Sequence, residues 1–143
     1  MPSSLLFGLI GYPVKHSFSA AMHTAAFKKL NLNAEYRLFE ITPEKLEDFL
    51  LREIKIKDIL GEEFISSDIT CFNVTIPHKI RTKQILEINF PNRNEGQVLQ
   101  DSYYVKLSGA VNTVKKSEGE VKYYNTDAKG FLKSLEDDLK FQP

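Results

Sequence analysis

The stretch Leu5-Leu6-Phe7-Gly8-Leu9-Ile10-Gly11-Tyr12-Pro13-Val14-Lys15-His16-Ser17-Phe18-Ser19 changes character halfway along. Its first part is short, continuous and apolar, the mark of a buried strand. Gly11-Tyr12-Pro13 closes it as a turn. Ser19 then stands as a helix N-cap candidate, and Met22, Ala25, Ala26 and Leu30 recur behind it at helical spacing. A strand feeding a helix in this way is the alternation from which α/β domains are built.

The pattern continues outward. Asn31 to Asn33 end the first helix, and Tyr36 to Ile41 read as a second strand. Thr42-Pro43-Glu44-Lys45 starts a helix with Thr as cap and Pro at the first helical position, followed by the stripe Leu46, Phe49, Leu50. Arg52 to Ser67 is ambiguous and is read as helical and then a turn. Ile69 to Thr75 is β-branched and aromatic, a third strand halted by Pro77. Lys79 to Ile88 reads as helix, and Asn89 to Asp101 is polar and turn-rich, the expected mobile loop. Ala110–Lys115 and Glu120–Tyr124 flank Ser117-Glu118-Gly119, a hairpin signal. Asp127 to Lys140 closes as a helix with Phe131, Leu135 and Leu139 on one face. The expected fold is α/β: an open, mostly parallel sheet flanked by helices, with an antiparallel hairpin near the C-terminus.

Composition narrows the function. The 143 residues suit one domain and carry 19 Lys+Arg against 19 Asp+Glu, so no basic stripe invites nucleic acid. No apolar run is long enough to span a bilayer, and Met1 to Ser4 carry no basic residue of a signal peptide. A single cysteine, Cys71, excludes an intrachain disulfide framework, so a cytoplasmic domain is expected. No two of the seven glycines lie within two residues of each other, so neither G-x-G-x-x-G nor a P-loop can be written. His16 and His23 lack a metal-ligand spacing, and no zinc site is expected.

Four segments carry chemistry. In Gly11 to Ser19 the hydroxyls of Ser17 and Ser19 are placed to meet one carboxylate at a strand-to-helix turn. The alternative is a plain helix cap at Ser19 with Ser17 in solvent. In Asn73-Val74-Thr75-Ile76-Pro77-His78-Lys79 an amide, a hydroxyl and an amine converge at a strand end, a set suited to a polyhydroxylated ligand. Ordinary turn residues with a solvated lysine are the alternative. In Gly109-Ala110-Val111-Asn112-Thr113, Asn112 offers another amide, or simply pairs with backbone. In Asn125-Thr126-Asp127-Ala128-Lys129-Gly130-Phe131, Asp127 opens a helix, where capping is the plain explanation. Gly130 has no local purpose and suggests close approach by another backbone or a ligand.

In this order the four segments resemble the N-terminal substrate-binding domain of the shikimate dehydrogenase family, over Leu6 to about Leu135. The family pattern is close to G-x-P-x-x-H-S-x-S-P, G-x-N-V-T-x-P-x-K, G-A-V-N-T and N-T-D-x-x-G. The resemblance implies that Ser17 and Ser19 bind the shikimate carboxylate. It implies that Asn73, Thr75, Lys79, Asn112 and Asp127 hold ring hydroxyls, with Thr126 lining the pocket. Lys79 and Asp127 match the catalytic pair for NADP-dependent hydride transfer between shikimate and 3-dehydroshikimate. Departures are Ala20 in place of proline, Cys71 and Ala128 in place of glycines, and a longer stretch from Lys79 to Asn112. Residues 1–143 are thus expected to be a single shikimate-binding domain. Residues 128–143 are expected to lead toward an NADP-binding Rossmann domain not in this chain, with the chain inactive by itself. A stand-alone shikimate- or quinate-binding module without catalysis is the alternative.

Overall fold

A computed structural model describes residues 4–91 and 100–142. Five strands form one sheet: β1 (Leu5–Gly11), β2 (Ala34–Glu40), β5 (Ile69–Val74), β6 (Thr113–Ser117) and β7 (Glu120–Tyr124), in spatial order β2-β1-β5-β6-β7. β1 pairs in parallel with β2 and β5, β6 runs against β5, and β7 runs against β6. The two reversals cancel, so every strand but β6 points the same way. Around the sheet lie α1 (Ser19–Lys29), α2 (Leu46–Leu51, after a 3-10 turn at Pro43–Lys45), α3 (Lys79–Asn89), α4 (Gln100–Ser108) and α5 (Asp127–Asp137).

Alternation along the strands divides the side chains between two faces. One face supplies Ile10, Phe39, Phe72, Val74, Val114 and Tyr123 to the main core, with Leu46, Phe49 and Leu50 of α2 and Ile85 and Leu86 of α3 packed against them. The other face carries a smaller core of Leu9, Val14, Tyr36 and Leu38, with Phe7, Ala20 and Phe27 beside it. This second cluster draws on β1, β2 and α1. Farther along the same face, Asn73 and Thr113 are only half-buried and Lys115 is exposed.

Several expectations are corrected. α1 does not sit on Met22, Ala25, Ala26 and Leu30, which are all exposed. It turns Ala20, His23 and Phe27 inward, because Phe27 meets Phe7 at 5.4 Å and His23 stacks on Tyr36. The 52–67 segment is not helical. Lys55–Lys57 (β3) and Glu63–Ile65 (β4) form a separate antiparallel hairpin. Buried Asp58 organises its turn by accepting the Leu60 and Glu62 N–H groups at 2.9 Å each. The strand expected at Ala110–Lys115 begins at Thr113 and runs to Ser117. Glu118-Gly119 turns the hairpin with Gly119 at φ +69°, a conformation glycine takes freely. The body of the loop expected at 89–101 lies outside the described residues, and its end, Gln100 and Asp101, belongs to α4.

Candidate functional site

The turns after β1 and β5 lie side by side, since the Tyr12 N–H donates to the Ile76 carbonyl and the Thr75 N–H to Ile10. Both contain a cis proline, Tyr12-Pro13 and Ile76-Pro77. Gly11 is required between them. A Cβ there would stand 2.5 Å from Thr75 Cγ2 and 2.9 Å from the Ile76 oxygen. Glu40, at the end of β2, accepts the Val14 N–H and steadies the first turn. Thr75 is half-buried where β5 ends.

At this end of the sheet the polar groups assemble. Lys79, the first residue of α3, brings Nζ to 2.5 Å from Asp127 Oδ2. The Asn112 amide donates to the other carboxylate oxygen, Oδ1, at 3.0 Å and to Thr126 Oγ1 at 2.8 Å. Asn112 Oδ1 accepts the Thr126 N–H at 2.9 Å and the Thr113 hydroxyl at 3.2 Å. Asn73 donates to Thr113 Oγ1 at 3.1 Å, and its own Oδ1 accepts the Tyr36 hydroxyl at 2.7 Å. Tyr36 also shares a side-chain hydrogen bond with Ser19, whose Oγ accepts from Ser17 at 3.1 Å. Every site residue expected from the sequence except Thr75 therefore belongs to one connected set, from Ser17 to the Lys79–Asp127 pair.

The plain alternatives for two residues do not hold. Asp127 does not cap α5, because Asn125, buried, accepts the Ala128 N–H at 3.2 Å and frees the Asp127 carboxylate for Lys79 and Asn112. Ser19 does not cap α1 either. Ser17 Oγ accepts the Ser19 N–H at 3.2 Å, so the oxygen at the helix start is Ser17's. A Cβ added at Gly130 would meet nothing within 4 Å among the described residues, so none of their backbones explains this glycine.

The site is an open shelf. Lys79 keeps 29% of its side chain exposed and Asp127 55%, so both are open to solvent. A depression of about 370 Å³ lined by Leu6, Glu35, Phe64, Asp68 and Thr70 lies at the other end of β1 and β5 and shares none of these residues. Tyr36 and Thr113 complete the set, although nothing in the sequence marks them as site residues. Tyr36 reads as a strand aromatic, and Thr113 as the last residue of a motif whose amide draws the eye. Only the register, with Phe7 opposite both Tyr36 and Cys71 and Asn73 opposite Thr113, brings them in. An ammonium and a carboxylate in contact, with amides and hydroxyls beside them, can exchange a proton with a ligand hydroxyl while holding its neighbours. Among the described residues, no three His, Cys, Asp or Glu side chains are grouped to hold a metal ion.

Residues 9–94 match the family described as shikimate dehydrogenase substrate binding domain. The chain is 40% identical over 136 residues to the shikimate dehydrogenase (NADP(+)) of Methanopyrus kandleri, covering 95% of this chain and 39% of that protein. It is 39% identical over 132 residues to that of Methanocaldococcus jannaschii, covering 92% and 39%. Among solved structures it resembles shikimate 5-dehydrogenase from Listeria monocytogenes in complex with shikimate and NAD. That match has a TM-score of 0.70 and 29% identity, over 96% of this chain and 40% of that one. The chain thus spans about two-fifths of the length of the relatives it matches.

Proposed function

The chain belongs to the shikimate dehydrogenase substrate-binding domain family, and on that premise we propose that it binds shikimate and 3-dehydroshikimate for NADP-dependent hydride transfer. The observation that carries this reading is the Lys79–Asp127 contact at 2.5 Å, with Asn112 donating to the same carboxylate. Ser17 and Ser19, at the start of α1, take the ligand's carboxylate, where free N–H groups favour an anion. Asn73, Thr75 and Asn112, with Lys79 and Asp127, hold the ring hydroxyls, each of which needs a donor and an acceptor, and Thr126 lines the pocket.

In the oxidation direction the ring hydroxyl must lose its proton as its carbon loses hydride. The Lys79–Asp127 pair takes that proton, the amine of Lys79 accepting it in its uncharged form, while Asp127, in contact with the amine, holds the amine in place and shares the same hydroxyl. In reduction the pair returns the proton to the forming alkoxide. NADP, bound by a domain outside this chain, supplies the hydride chemistry. Residues 1–143 act as one shikimate-binding domain, with 128–143 leading toward that nucleotide-binding domain. Among the described residues no helix is long and apolar enough to cross a membrane. We place the domain in the cytoplasm, where its small-molecule substrate and NADP are its partners.

The second reading is a module that binds shikimate or quinate without turnover. The Lys79–Asp127 contact favours the first, because binding alone does not require an amine against a carboxylate. Titrating shikimate into the chain, and assaying NADP-dependent shikimate oxidation by the protein that joins it to a nucleotide-binding half, tests both. Binding with turnover is expected. Binding without turnover leaves the module, and no binding ends both readings.

A further inference from the structure

We propose that Tyr36 is a positioning residue: its hydroxyl holds the Asn73 amide in place, and so ties the serine turn after β1 to the hydroxyl-binding groups around Asp127. This inference rests on the function proposed above for the site. Tyr36 lies in β2, two strands from Asn73, and is 7% exposed. Its ring stacks on His23 of α1, with centroids 4.2 Å apart and planes 11° from parallel. That stack, with Leu9, Val14 and Leu38 around it, leaves the ring little freedom. The hydroxyl donates to Asn73 Oδ1 at 2.7 Å and shares a hydrogen bond with Ser19.

The consequence is one of direction. An asparagine amide has an accepting end and a donating end, and either can face a given neighbour. With a donor on Oδ1, Nδ2 faces Thr113 Oγ1 at 3.1 Å and the Asn112 carbonyl at 3.4 Å. Thr113, accepting there, donates its own hydrogen to Asn112 Oδ1. Asn112, accepting there and from the Thr126 N–H, must turn its Nδ2 to Thr126 Oγ1 and Asp127 Oδ1. The Thr126 N–H and the Asp127 carboxylate that holds Lys79 fix the polarity at one end, and the Tyr36 hydroxyl matches it at the other by donating to Asn73 Oδ1. Burial, with Cys71 nearby, pushes the Tyr36 hydroxyl well above the ordinary phenol range, so it keeps its proton. A phenylalanine fills the same apolar space, and so the hydroxyl serves the polar series and not the packing.

The test compares the wild-type chain with Tyr36→Phe, using shikimate and cyclohex-1-enecarboxylate (the carboxylate without the hydroxyls) as titrants. Side-chain amide signals of Asn73 are read by NMR without ligand. The variant is expected to melt within about 3 °C of wild type and to lose about tenfold in shikimate affinity. Its loss for the hydroxyl-free acid is smaller, and its Asn73 amide signals shift and exchange faster. Shikimate affinity within twofold of wild type, or unchanged amide signals, overturns the inference. If Tyr36→Phe fails to fold, Thr113→Val breaks the same series one step on and is held to the same outcomes. A wild-type chain that binds no shikimate refutes the proposed function, and the Asn73 signals then decide the positioning role alone.

Discussion

Lys79 contributes almost nothing to the core: it opens α3, and its amine reaches out to Asp127. In the protein that pairs this chain with a nucleotide-binding half, Lys79→Ala is expected to lower shikimate oxidation by about 10²–10⁴-fold, the usual range for a lost acid–base group. The chain's melting temperature should move by no more than about 2 °C, as for a surface substitution. A large fall in melting temperature with activity retained would contradict the assignment. Lys116 is the opposite case. It sits over the rings of Phe49 and Phe72 at 5.4 and 5.5 Å, and burial lowers its pKa from the ordinary 10.5. Between the folded and unfolded values the unfolded chain binds the extra proton, so this group adds stability as pH rises toward 10.5 and weighs against folding below that window. Lys116→Met should therefore gain most over wild type near pH 7, and the gain should shrink as pH approaches 10.5. Paired urea melts across that range check it, and a gap that widens with pH refutes it. Single residue types were readable at this scale, but their partners were not. The Lys79–Asp127 bond joins positions 48 apart and the Tyr36–Asn73 bond positions 37 apart, distances no local pattern reports.

Among elements, the β3–β4 hairpin shows what local pattern misses. Its strands are three residues each, too short for a visible alternation, and the segment's charged residues suit an exposed helix equally well. What makes it a hairpin is Asp58, which holds two turn N–H groups and meets Arg37 of β2 at 3.1 Å. Asp58→Ala is expected to cost about 1–3 kcal/mol, or roughly 4 °C per kcal/mol in the melting temperature, by leaving those groups unpaired. A calorimetric change under about 1 °C would show the turn holds itself. The turn after β1 is more demanding. Gly11→Ala forces a Cβ against Thr75 and the Ile76 carbonyl, so the two site turns must part. Shikimate binding, followed by titration calorimetry, should be lost even where the variant still folds; wild-type affinity would show the turns can shift at no cost. The α1 stripe also went astray for an element-level reason. Met22, Ala25, Ala26 and Leu30 obey helical spacing, yet the stacking partners on the sheet, Phe7 and Tyr36, select His23 and Phe27 instead.

For the molecule as a whole, a ligand that binds only the folded chain stabilises it by mass action. Shikimate at about 100 times its Kd should add roughly 2.7 kcal/mol and raise the melting temperature by several degrees. NADP at the same concentration should leave it unchanged, because no glycine pattern for a phosphate-binding turn exists in the sequence. A thermal scan with each compound checks both, and a shift with NADP alone would place nucleotide binding within this chain. Strand–helix alternation, the glycine and proline turns, the closing hairpin and the types of residue at the site follow from the sequence, because periodicity and turn chemistry act within a few residues of one another. The tertiary structure alone decided that Asn125 and Ser17 do the capping. In doing so they leave Asp127 to the lysine and Ser19 to Tyr36. It also decided which face of α1 is buried and how Tyr36 and Thr113 join the site. A hydrogen-bonding group takes whichever partner the packed chain brings within about 3 Å, and which partner arrives is settled by sheet register and helix docking over the whole domain.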